Sequence, residues 1–440
     1  MKITLVQPPN MQRSGKWEMQ KVCRTPTNLA LLAAYVRQNG HEPKIVDLDI
    51  EGGNLEEIAR LILFNNPQVV GITCLTPRFP IAMDIAAECK RINPEVITVV
   101  GGPHVTGLSK HVLKEKAVDY GVVGEGEVAF LELINNIAVG KPVDEVANLI
   151  YRHNGKIHIN PVRPFIIDLD ALPFPAWDLL KLDHYVDSAF YEGPHLGLMS
   201  ARGCPYDCYF CGSRVVWGRR VRYRSPANIL AEIEEAINKY NIREFMFYDD
   251  TFTLQRKRII EFCEGVIARC LDIRFYAQVR VDTIDLEITK KLKKAGCFAV
   301  AIGVESGNDA ILKTMGKNLT KDQIRTGCTV LKAAKMPFLA SYIIGHPGDT
   351  HETIQQTIDF ATELDADQSK FLIATPYPGT RFFDMAVAQG IISDEGAQDL
   401  GDHTYFQHVA ANLSKVSDAG LLAYQQKAFD DYDQRKRPLV

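Results

Sequence analysis

Short apolar runs alternate with longer amphipathic stretches over the first 140 residues. The runs are short enough to be buried strands, and the stretches carry apolar residues at helical spacing. The predicted strands are Lys2–Gln7, Lys44–Asp47, Val69–Thr73, Val96–Val100 and Val118–Val123. The predicted helices lie near Asn28–Gln38, Leu55–Phe64, Ile81–Ile92 and Glu127–Ile137. Strands that alternate with helices form parallel sheets, so we predict an α/β, doubly wound sheet of Rossmann or flavodoxin type.

The same alternation returns between residues 191 and 400. Predicted strands lie within 245–252, 274–282, 301–307, 341–348 and 374–380. A helix over 226–240 is preceded by Ser225 and starts at Pro226, a favourable cap and first-turn pair. Repeated βα units form barrels, in which polar residues at the carboxyl ends of the strands face the active site. The polar residues at these predicted strand ends are Asp249, Gln278, Arg280, Glu305 and Tyr377.

The chain is predicted to divide into four segments. Residues 1–140 form the doubly wound domain, and residues 141–190 form a linker. The linker contains a hairpin over Asn148–Asn160, because Asn154-Gly155 is a strong turn dipeptide, followed by a Pro-rich connector. Residues 191–400 form the barrel region. Residues 401–440 carry one amphipathic helix, about Ser417–Arg435, and a basic end.

Composition narrows the class of protein. The chain has 440 residues, with 50 Lys and Arg against 54 Asp and Glu, for a net charge of −4. No strongly basic surface follows from this balance, which argues against a nucleic-acid partner. The start of the chain does not resemble a signal peptide, and no run of about 18 apolar residues is long enough to cross a membrane. We therefore expect a cytoplasmic protein without a membrane partner.

Three of the ten cysteines form a C-x3-C-x2-C motif: Cys204, Cys208 and Cys211. Closely spaced soft thiolates suit zinc or an iron–sulfur cluster. A structural zinc site needs a fourth protein ligand, and no Cys-x2-Cys or His-x3-His partner occurs elsewhere in the chain. Three thiolates therefore favour a [4Fe-4S] cluster with one open iron, with zinc as the weaker alternative.

This motif, with the aromatic Phe210 before its last cysteine, resembles the signature of the radical S-adenosylmethionine (SAM) superfamily. The resemblance implies a partial (β/α)6 barrel and an open iron that chelates the amino and carboxylate groups of SAM. An electron from the cluster then cleaves SAM into methionine and a 5′-deoxyadenosyl radical. The residues that the resemblance and the strand ends assign to SAM are Phe210, Asp249, Gln278, Arg280, Glu305 and Ser306. Tyr206 and Tyr377 are candidate catalytic residues by position.

The strand ends of the N-terminal sheet form a rim of small residues, without the G-x-G-x-x-G of a dinucleotide site. A rim of this kind before a radical SAM region resembles the cobalamin (B12)-binding domain of the B12-dependent radical SAM family. The resemblance covers residues 1 to about 400. It implies cobalamin contacts from Pro8, Pro9, Thr73, Leu75, Thr76, Gly101, Gly102, Pro103, His104, Gly124, Glu125 and Gly126.

One departure from cobalamin-binding patterns concerns the lower axial ligand of cobalt. Domains that supply a histidine there carry D-x-H-x-x-G, whereas this chain has Asp49 in the place of the histidine within 47–52. We therefore expect no axial histidine at that position, and the loop 75–78 as the neighbour of the lower face. His104 is expected to form an ordinary hydrogen bond or to pack, with cobalt ligation as the alternative.

These features predict an anaerobic, cobalamin-dependent radical SAM C-methyltransferase. The methyl group would pass from SAM to Co(I) cobalamin, giving methylcobalamin, and then to a substrate radical on a peptide, protein side chain or small molecule. A low-potential ferredoxin or flavodoxin is the electron donor by family analogy. The principal alternative is a cobalamin-dependent cyclase or rearrangement enzyme. Weaker alternatives are a methylthiotransferase, with a second cluster on Cys23, Cys74 and Cys89, and a redox sensor.

Overall fold

The computed structural model describes residues 1–9, 24–187, 191–393 and 408–433. They form two compact units, each with its own parallel sheet. The first unit comprises Met1–His184, Gly212–Gly218 and Tyr377–Thr404. The second comprises Tyr185–Cys211, Arg219–Pro376 and Tyr405–Val440. The four-segment division remains a prediction, although the α/β class and the order of the two sheets are confirmed.

The first unit contains a seven-stranded sheet in the order β2-β1-β3-β4-β5-β6-β7. The strands are β1 Lys2–Gln7, β2 Glu42–Asp47, β3 Val69–Thr73, β4 Ile97–Gly101, β5 Tyr120–Val122, β6 Leu149–His153 and β7 Lys156–Ile159. β1 to β5 are parallel, and the hairpin β6–β7 adds to β5 in antiparallel fashion. The order 2-1-3-4-5 is that of flavodoxin-like sheets, which bind ligands where the chain reverses, beyond β1 and β3.

The four predicted helices of the first unit begin and end within one or two residues of the predicted limits, and five further helices within the described residues were not predicted. A capping box fixes the start of the helix Leu55–Leu63. The Asn54 side chain accepts from the Glu57 backbone N–H, and the Glu57 side chain accepts from that of Asn54. The apolar faces of these helices pack on the sheet around Val6, Ile72 and Val100, which are all buried. The helices are Thr27–Gln38, Leu48–Glu51, Leu55–Leu63, Phe79–Ile92, Pro103–Gly107, Ser109–Val112, Gly126–Ala138, Ser213–Trp217 and Arg381–Ala388.

The second unit contains six parallel strands whose spatial order follows the chain, as in a partial (β/α)6 barrel. They are β8 His195–Leu198, β11 Glu244–Phe247, β12 Arg274–Val279, β13 Cys297–Glu305, β14 Phe338–Ile344 and β15 Gln368–Ile373. A separate antiparallel pair consists of β9 Ala201–Arg202 and β10 Arg222–Tyr223. The helices are Pro226–Tyr240, Arg256–Ala268, Leu286–Lys294, Asp309–Thr314, Lys321–Ala333, His351–Leu364 and Asp418–Asp433.

Some predicted strand limits were wrong. β11 and β12 end before Asp249 and Arg280, so these side chains lie in the loops that follow. The last strand is β15 and not 374–380, where Pro376 and Pro378 lack the N–H groups that a ladder requires. Tyr377 belongs to the first unit, so the structure does not group it with the barrel residues.

The C-terminal helix Asp418–Asp433 packs on the edge strand β15. The Gln425 side-chain amide donates to the Phe371 carbonyl over 2.7 Å, and Leu421 and Ala428 are fully buried. The helix therefore covers an edge that would otherwise expose ladder groups. The predicted basic end, 435–437, lies outside the described residues. Within the described ranges, no helix is both long enough and apolar enough to cross a bilayer.

A buried ion pair anchors the helix Pro226–Tyr240 beside β10. Arg224 donates to the carboxylate of Glu232, whose side chain is 1% exposed, and to the carbonyl of Met199. A second pair on the same helix, Lys239 with Glu235, lies on the surface. The first pair is buried and the second is not. Removal of one partner of a buried ion pair lowers the free energy of unfolding strongly, because the other charge stays buried.

We expect Glu232→Ala to destabilise the second unit by about 3–5 kcal/mol, because it leaves the buried Arg224 guanidinium without the opposite charge of Glu232. Glu235→Ala should cost less than about 1 kcal/mol, since exposed pairs contribute little. Thermal melting followed by circular dichroism compares the two variants with the parent protein. Equal melting temperatures for both variants would contradict the assignment.

Candidate active site

The three motif cysteines lie in one loop of the second unit, closed at its base by the pair β9–β10. Arg202 faces Arg222, and Ala201 faces Tyr223, across this short ladder. Gly203 follows β9 with φ +103°, and a Cβ there would lie 2.7 Å from the Arg220 carbonyl oxygen. Only glycine fits so close to the Arg220 carbonyl, so Gly203 and the β9–β10 ladder together determine the path of the loop.

Exposure separates the motif thiols from most other cysteines. Cys204, Cys208 and Cys211 are partly exposed, whereas the buried cysteines are Cys74, Cys89, Cys263, Cys297 and Cys328. Within the described parts of the chain, no three His, Cys, Asp or Glu side chains converge on one metal position. A [4Fe-4S] cube places each thiolate on a different iron, so its ligands do not need to converge as those of a single zinc ion do. The donor set fits the cluster.

The segment after the helix Asp309–Thr314 supports the back of the cysteine loop. Tyr209 N donates to the Met315 carbonyl over 3.0 Å, and Cys208 Sγ lies 3.8 Å from the Gly316 carbonyl oxygen. Gly316 has φ +72°, and a Cβ there would lie 2.6 Å from the Asp207 carbonyl oxygen. A side chain at 316 would therefore displace the loop that carries the thiols.

Two cations stand beside this loop. Lys317 Nζ lies 2.7 Å from Glu305 Oε1, and both side chains are at most 10% exposed. Arg280 binds Asp282 through two nitrogens at 2.9 and 3.0 Å, donates to the Lys317 carbonyl, and covers the ring of Tyr206 at 3.6 Å. Glu305 has φ +67°, a conformation that is uncommon outside glycine and that marks sites where function constrains the backbone.

Burial and nearby positive charge shift the pKa values of the ionisable groups at this loop in opposite directions. Burial raises the pKa of Cys208, and the positive charges of Lys317 and Arg280 oppose this rise. Burial also raises the pKa of Cys204, against which a hydrogen bond from Thr251 acts. The pKa of Tyr206 is raised by burial, so its phenol stays protonated near neutral pH and is a poor general base.

Asp249, predicted to contact SAM, holds the chain that enters the cysteine loop. Its carboxylate accepts from the Ser200 backbone N–H over 2.7 Å and from the Ser200 hydroxyl. Arg258 donates to the carbonyl and the hydroxyl of the same serine. Burial raises the pKa of Asp249, and the charge of Arg258 opposes this effect. Asp249 thus positions the loop, and its contact with SAM stays a prediction.

The other predicted SAM residues are distributed around the strand ends. The Gln278 residue is exposed, and its backbone carbonyl accepts from Phe252 N over 2.8 Å. Ser306 is buried; its hydroxyl accepts from Asn308 N and lies 3.3 Å from the Thr357 hydroxyl. Ser306 therefore fixes the turn after β13, while Gln278 is available to a ligand.

Sequence reasoning missed several residues that the fold brings to the loop. They are polar, and no spacing links them to the cysteines, so no motif could have found them. Burial lowers the pKa of one of them, His346, to about 3, which keeps its imidazole neutral. They are Thr251, Arg258, Lys317 and His346.

In the first unit, the crevice beyond β1 and β3 contains a buried ion pair. Arg78 donates to the Asp49 carboxylate over 2.9 Å and to the Pro8 carbonyl. Both side chains are at most 10% exposed. Asp49, which occupies the place of an axial histidine, is thus bound to Arg78, and neither side chain offers a neutral nitrogen ligand.

The rim of the same crevice is shaped by glycine. Gly102 has φ +99°, and a Cβ there would lie 3.0 Å from both the Cys74 carbonyl oxygen and Thr73 Oγ1. Gly126 begins the helix Gly126–Ala138 and has open space where a Cβ would be. Strand ends without side chains leave backbone groups accessible to a large flat ligand, so the rim fits cobalamin.

Two predicted cobalamin residues have internal contacts. His104 is buried, stacks on Phe79 at 4.1 Å and lies with Nδ1 3.2 Å from Thr76 Oγ1. Burial lowers the pKa of His104 to about 3. Glu125 is buried and accepts from Ile166 N over 2.7 Å. Packing and hydrogen bonding therefore account for His104, and Glu125 holds the chain that follows the hairpin β6–β7.

Tyr377 lies beside a tightly packed corner of the first unit. A Cβ on Gly107 would overlap the Pro378 carbonyl, and one on Gly379 would contact Val215 and the Cα of Gly107. Three distant parts of the chain therefore meet at this corner without room for larger residues.

The proposed second cluster of a methylthiotransferase does not fit the structure. Cys74 and Cys89 are buried in the core of the first unit. Burial raises the pKa of both thiols, that of Cys89 to about 12. Cys23 lies outside the described residues. Protonated core thiols do not bind a cluster.

Comparison with known families matches both units. Residues 198–361 match the radical SAM superfamily, and residues 21–134 match the B12 binding domain. The matched segments contain all three motif cysteines and, from the crevice, β3, Asp49, Arg78 and Gly102, whereas β1 precedes the matched residues.

Similar proteins extend over most of the chain. An uncharacterized methyltransferase of Pyrococcus horikoshii is 38% identical over 394 residues, 89% of this chain and 84% of that protein. An anaerobic magnesium-protoporphyrin IX monomethyl ester cyclase of Rubrivivax gelatinosus is 30% identical over 366 residues, 81% of this chain and 65% of that protein. The radical SAM methyltransferase TsrM of Kitasatospora setae, solved with cobalamin and a [4Fe-4S] cluster, has a TM-score of 0.74 at 19% identity. This last match covers 88% of this chain and 78% of that one, and it shows the fold alone.

We expect replacement of Cys204, Cys208 and Cys211 together by alanine to abolish iron binding after anaerobic reconstitution, because no thiolate remains in the loop. The parent protein should bind about four irons per chain with the visible absorbance of a cluster. Iron and sulfide assays measure the difference. Cys270→Ala removes an exposed cysteine and is the matched control; retention of iron by the triple variant would contradict the assignment.

The buried His104 predicts a pH dependence of stability in the first unit. Its folded pKa of about 3 lies below the unfolded value of about 6.5, so stability is intact above pH 6.5 and is lost as the pH falls toward 3. Compared with His104→Gln, the parent should lose about 1.4 kcal/mol more per pH unit in this window. Urea unfolding followed by the fluorescence of Trp177, buried in the same unit, measures this difference.

The exposed His153→Gln variant controls for the change of residue type. The prediction fails if the stability difference between parent and His104→Gln is constant from pH 7 to pH 4.

Proposed function

The chain belongs to the cobalamin-dependent radical SAM family and is one of its methyltransferases, and we propose that it methylates an unactivated carbon atom of its substrate. When bound, the [4Fe-4S] cluster, SAM and cobalamin supply the electron, the radical and the methyl carrier. One observation carries the proposal: the same chain presents three partly exposed thiols in a barrel loop and a glycine rim at the reversal of a flavodoxin-like sheet.

The proposed stoichiometry is fixed by atom and electron balance. A C–H bond of the substrate becomes a C–CH3 bond, and two SAM molecules and two electrons are consumed. One SAM leaves as S-adenosylhomocysteine, and the other leaves as methionine and 5′-deoxyadenosine, which carries the hydrogen taken from the substrate. We propose a low-potential ferredoxin or flavodoxin as the source of the electrons.

In the second unit, we propose that Cys204, Cys208 and Cys211 hold the cluster. The buried pair of Glu305 and Lys317 supplies one negative and one positive group next to the loop, which suits an amino acid zwitterion. Gln278, exposed at the end of β12, is available for polar contacts with SAM. Phe210, Arg280 and Ser306 complete the proposed SAM site.

In the first unit, we propose that cobalamin lies in the crevice beyond β1 and β3. Backbone groups of Gly101, Gly102 and the 124–126 turn would contact its edge, and the chain at Pro8 and Pro9 and at 73–76 would lie beside it. Arg78 with Asp49 would face it without a ligating nitrogen. When bound there, cobalamin would supply the methyl group that the substrate receives.

The absence of a placed general base among the described site residues agrees with hydrogen-atom abstraction. Tyr206 lies under the Arg280 guanidinium, and burial raises its pKa. Tyr377 belongs to the other unit. We propose a carbon that needs no acidification as the target, because hydrogen-atom abstraction requires the substrate to be positioned and no proton to be removed. The substrate is proposed to be a peptide or protein side chain or a small molecule.

A cobalamin-dependent cyclisation or rearrangement is the second candidate. The observation that favours it is the 30% identity with the Rubrivivax cyclase over 81% of this chain. That reaction and methylation share the cluster and SAM. Only the methylation produces S-adenosylhomocysteine, so this product distinguishes the two reactions.

We expect the anaerobically reconstituted protein, with SAM and a low-potential reductant, to form both 5′-deoxyadenosine and S-adenosylhomocysteine. Mass spectrometry measures both products, and cobalamin is quantified per chain. The protein with all three motif cysteines changed to alanine should form no 5′-deoxyadenosine, because cleavage of SAM needs the cluster.

Formation of 5′-deoxyadenosine alone would favour cyclisation over methylation. If a cluster-loaded protein with bound cobalamin formed neither product, the proposed function would be wrong.

A further inference from the structure

A tyrosine and a histidine join the cysteine loop to the barrel of the second unit. Tyr209 stands between Cys208 and Cys211, and its hydroxyl lies 2.6 Å from His346 Nδ1. The two rings are perpendicular with centroids 5.6 Å apart, and the ring of Phe210 lies 5.5 Å from that of His346. His346 is fully buried and Tyr209 is 6% exposed. The hydrogen bond is therefore shielded from competing water.

The histidine is rigidly placed by its own loop. β14 ends at Ile344, and Gly345 turns the chain with φ +89°. The backbone N–H groups of Gly345 and His346 donate to the Asp349 carboxylate over 3.0 and 2.9 Å. The same carboxylate accepts from the Thr353 hydroxyl over 2.7 Å. His346 thus presents Nδ1 from a fixed point of the barrel.

Backbone groups also hold this turn of the loop. Cys211 N donates to the Cys208 carbonyl over 3.1 Å, and Tyr209 N donates to the Met315 carbonyl over 3.0 Å. The first of these bonds keeps the turn closed, and the second fixes one backbone atom. The Tyr209 hydroxyl adds a side-chain bond that ties the turn between the two flanking thiols to the barrel at His346.

We propose that the Tyr209–His346 hydrogen bond is a clamp that fixes the orientation of Cys208 and Cys211 as cluster ligands. Both are positioning residues: they act through the two cysteines and are not themselves ligands. The inference rests on the cluster assigned to this loop and does not depend on the reaction that the cluster supports.

The experiment compares four variants of the full chain, each reconstituted anaerobically. Tyr209→Phe removes the hydroxyl, His346→Leu removes the imidazole, and the double variant removes both partners of the hydrogen bond. His346→Gln keeps a side chain that can form a hydrogen bond. The matched controls are Tyr424→Phe and His351→Leu, because these two residues form a Tyr–His pair at 3.2 Å on the surface of the same unit.

The readouts are the rate of iron loss to a chelator and the electron paramagnetic resonance spectrum of the reduced cluster. We expect Tyr209→Phe and His346→Leu each to lose iron roughly fivefold faster and to broaden the spectrum, as for the loss of one buried hydrogen bond. The double variant should be no worse than either single variant, because both remove the same bond. His346→Gln should restore much of the parent behaviour.

Three results would overturn the clamp. The first is parent-like iron loss and spectra in both single variants, and the second is additive effects in the double variant. The third is an equal effect of the Tyr424→Phe and His351→Leu controls. None of these measurements uses substrate or product formation, so failure of the clamp and failure of the methyl-transfer proposal are distinguished.

Discussion

The interaction on which the second unit depends is the buried network that joins Asp249, Ser200 and Arg258. Ser200 immediately precedes β9, whose partner β10 closes the other end of the cysteine loop. A carboxylate and a guanidinium both hold that one serine, so the entry to the loop has little freedom. Partly exposed thiols can keep a fixed arrangement only if the chain that carries them is held in this way.

Charge is handled differently in the two units. Beside the cysteine loop, Lys317 and Arg280 each pair with a carboxylate, and their positive charges still oppose the rise that burial gives to the pKa of Cys208. In the crevice of the first unit, Arg78 and Asp49 neutralise each other. The first arrangement suits thiolate ligands and a zwitterionic partner, whereas the second leaves a crevice without a nitrogen ligand. Each follows from the chemistry of the group that the family places there.

Much of the fold was predictable because periodicity and turn residues are local properties. β1 and β3 begin and end at the predicted residues, and the Asn154-Gly155 dipeptide lies at the predicted hairpin turn. The predicted strand limits were wrong where polar residues follow a strand. Asp249 and Arg280 continue the apparent pattern of β11 and β12, yet both lie past the last ladder bonds, since a strand ends where its neighbour stops pairing.

By itself, the sequence predicted the cluster from three soft thiolates at fixed spacing, and the family resemblance of that motif and of the small-residue rim implied SAM and cobalamin. Only the tertiary structure decided which polar side chains serve that chemistry. It committed Asp249 to Ser200 and Glu125 to Ile166, and it brought Lys317 to Glu305 and His346 to Tyr209. The last pair is separated by 137 residues. No local pattern encodes such a contact, because it exists only once parallel strands have brought their carboxyl ends to the same edge of the sheet.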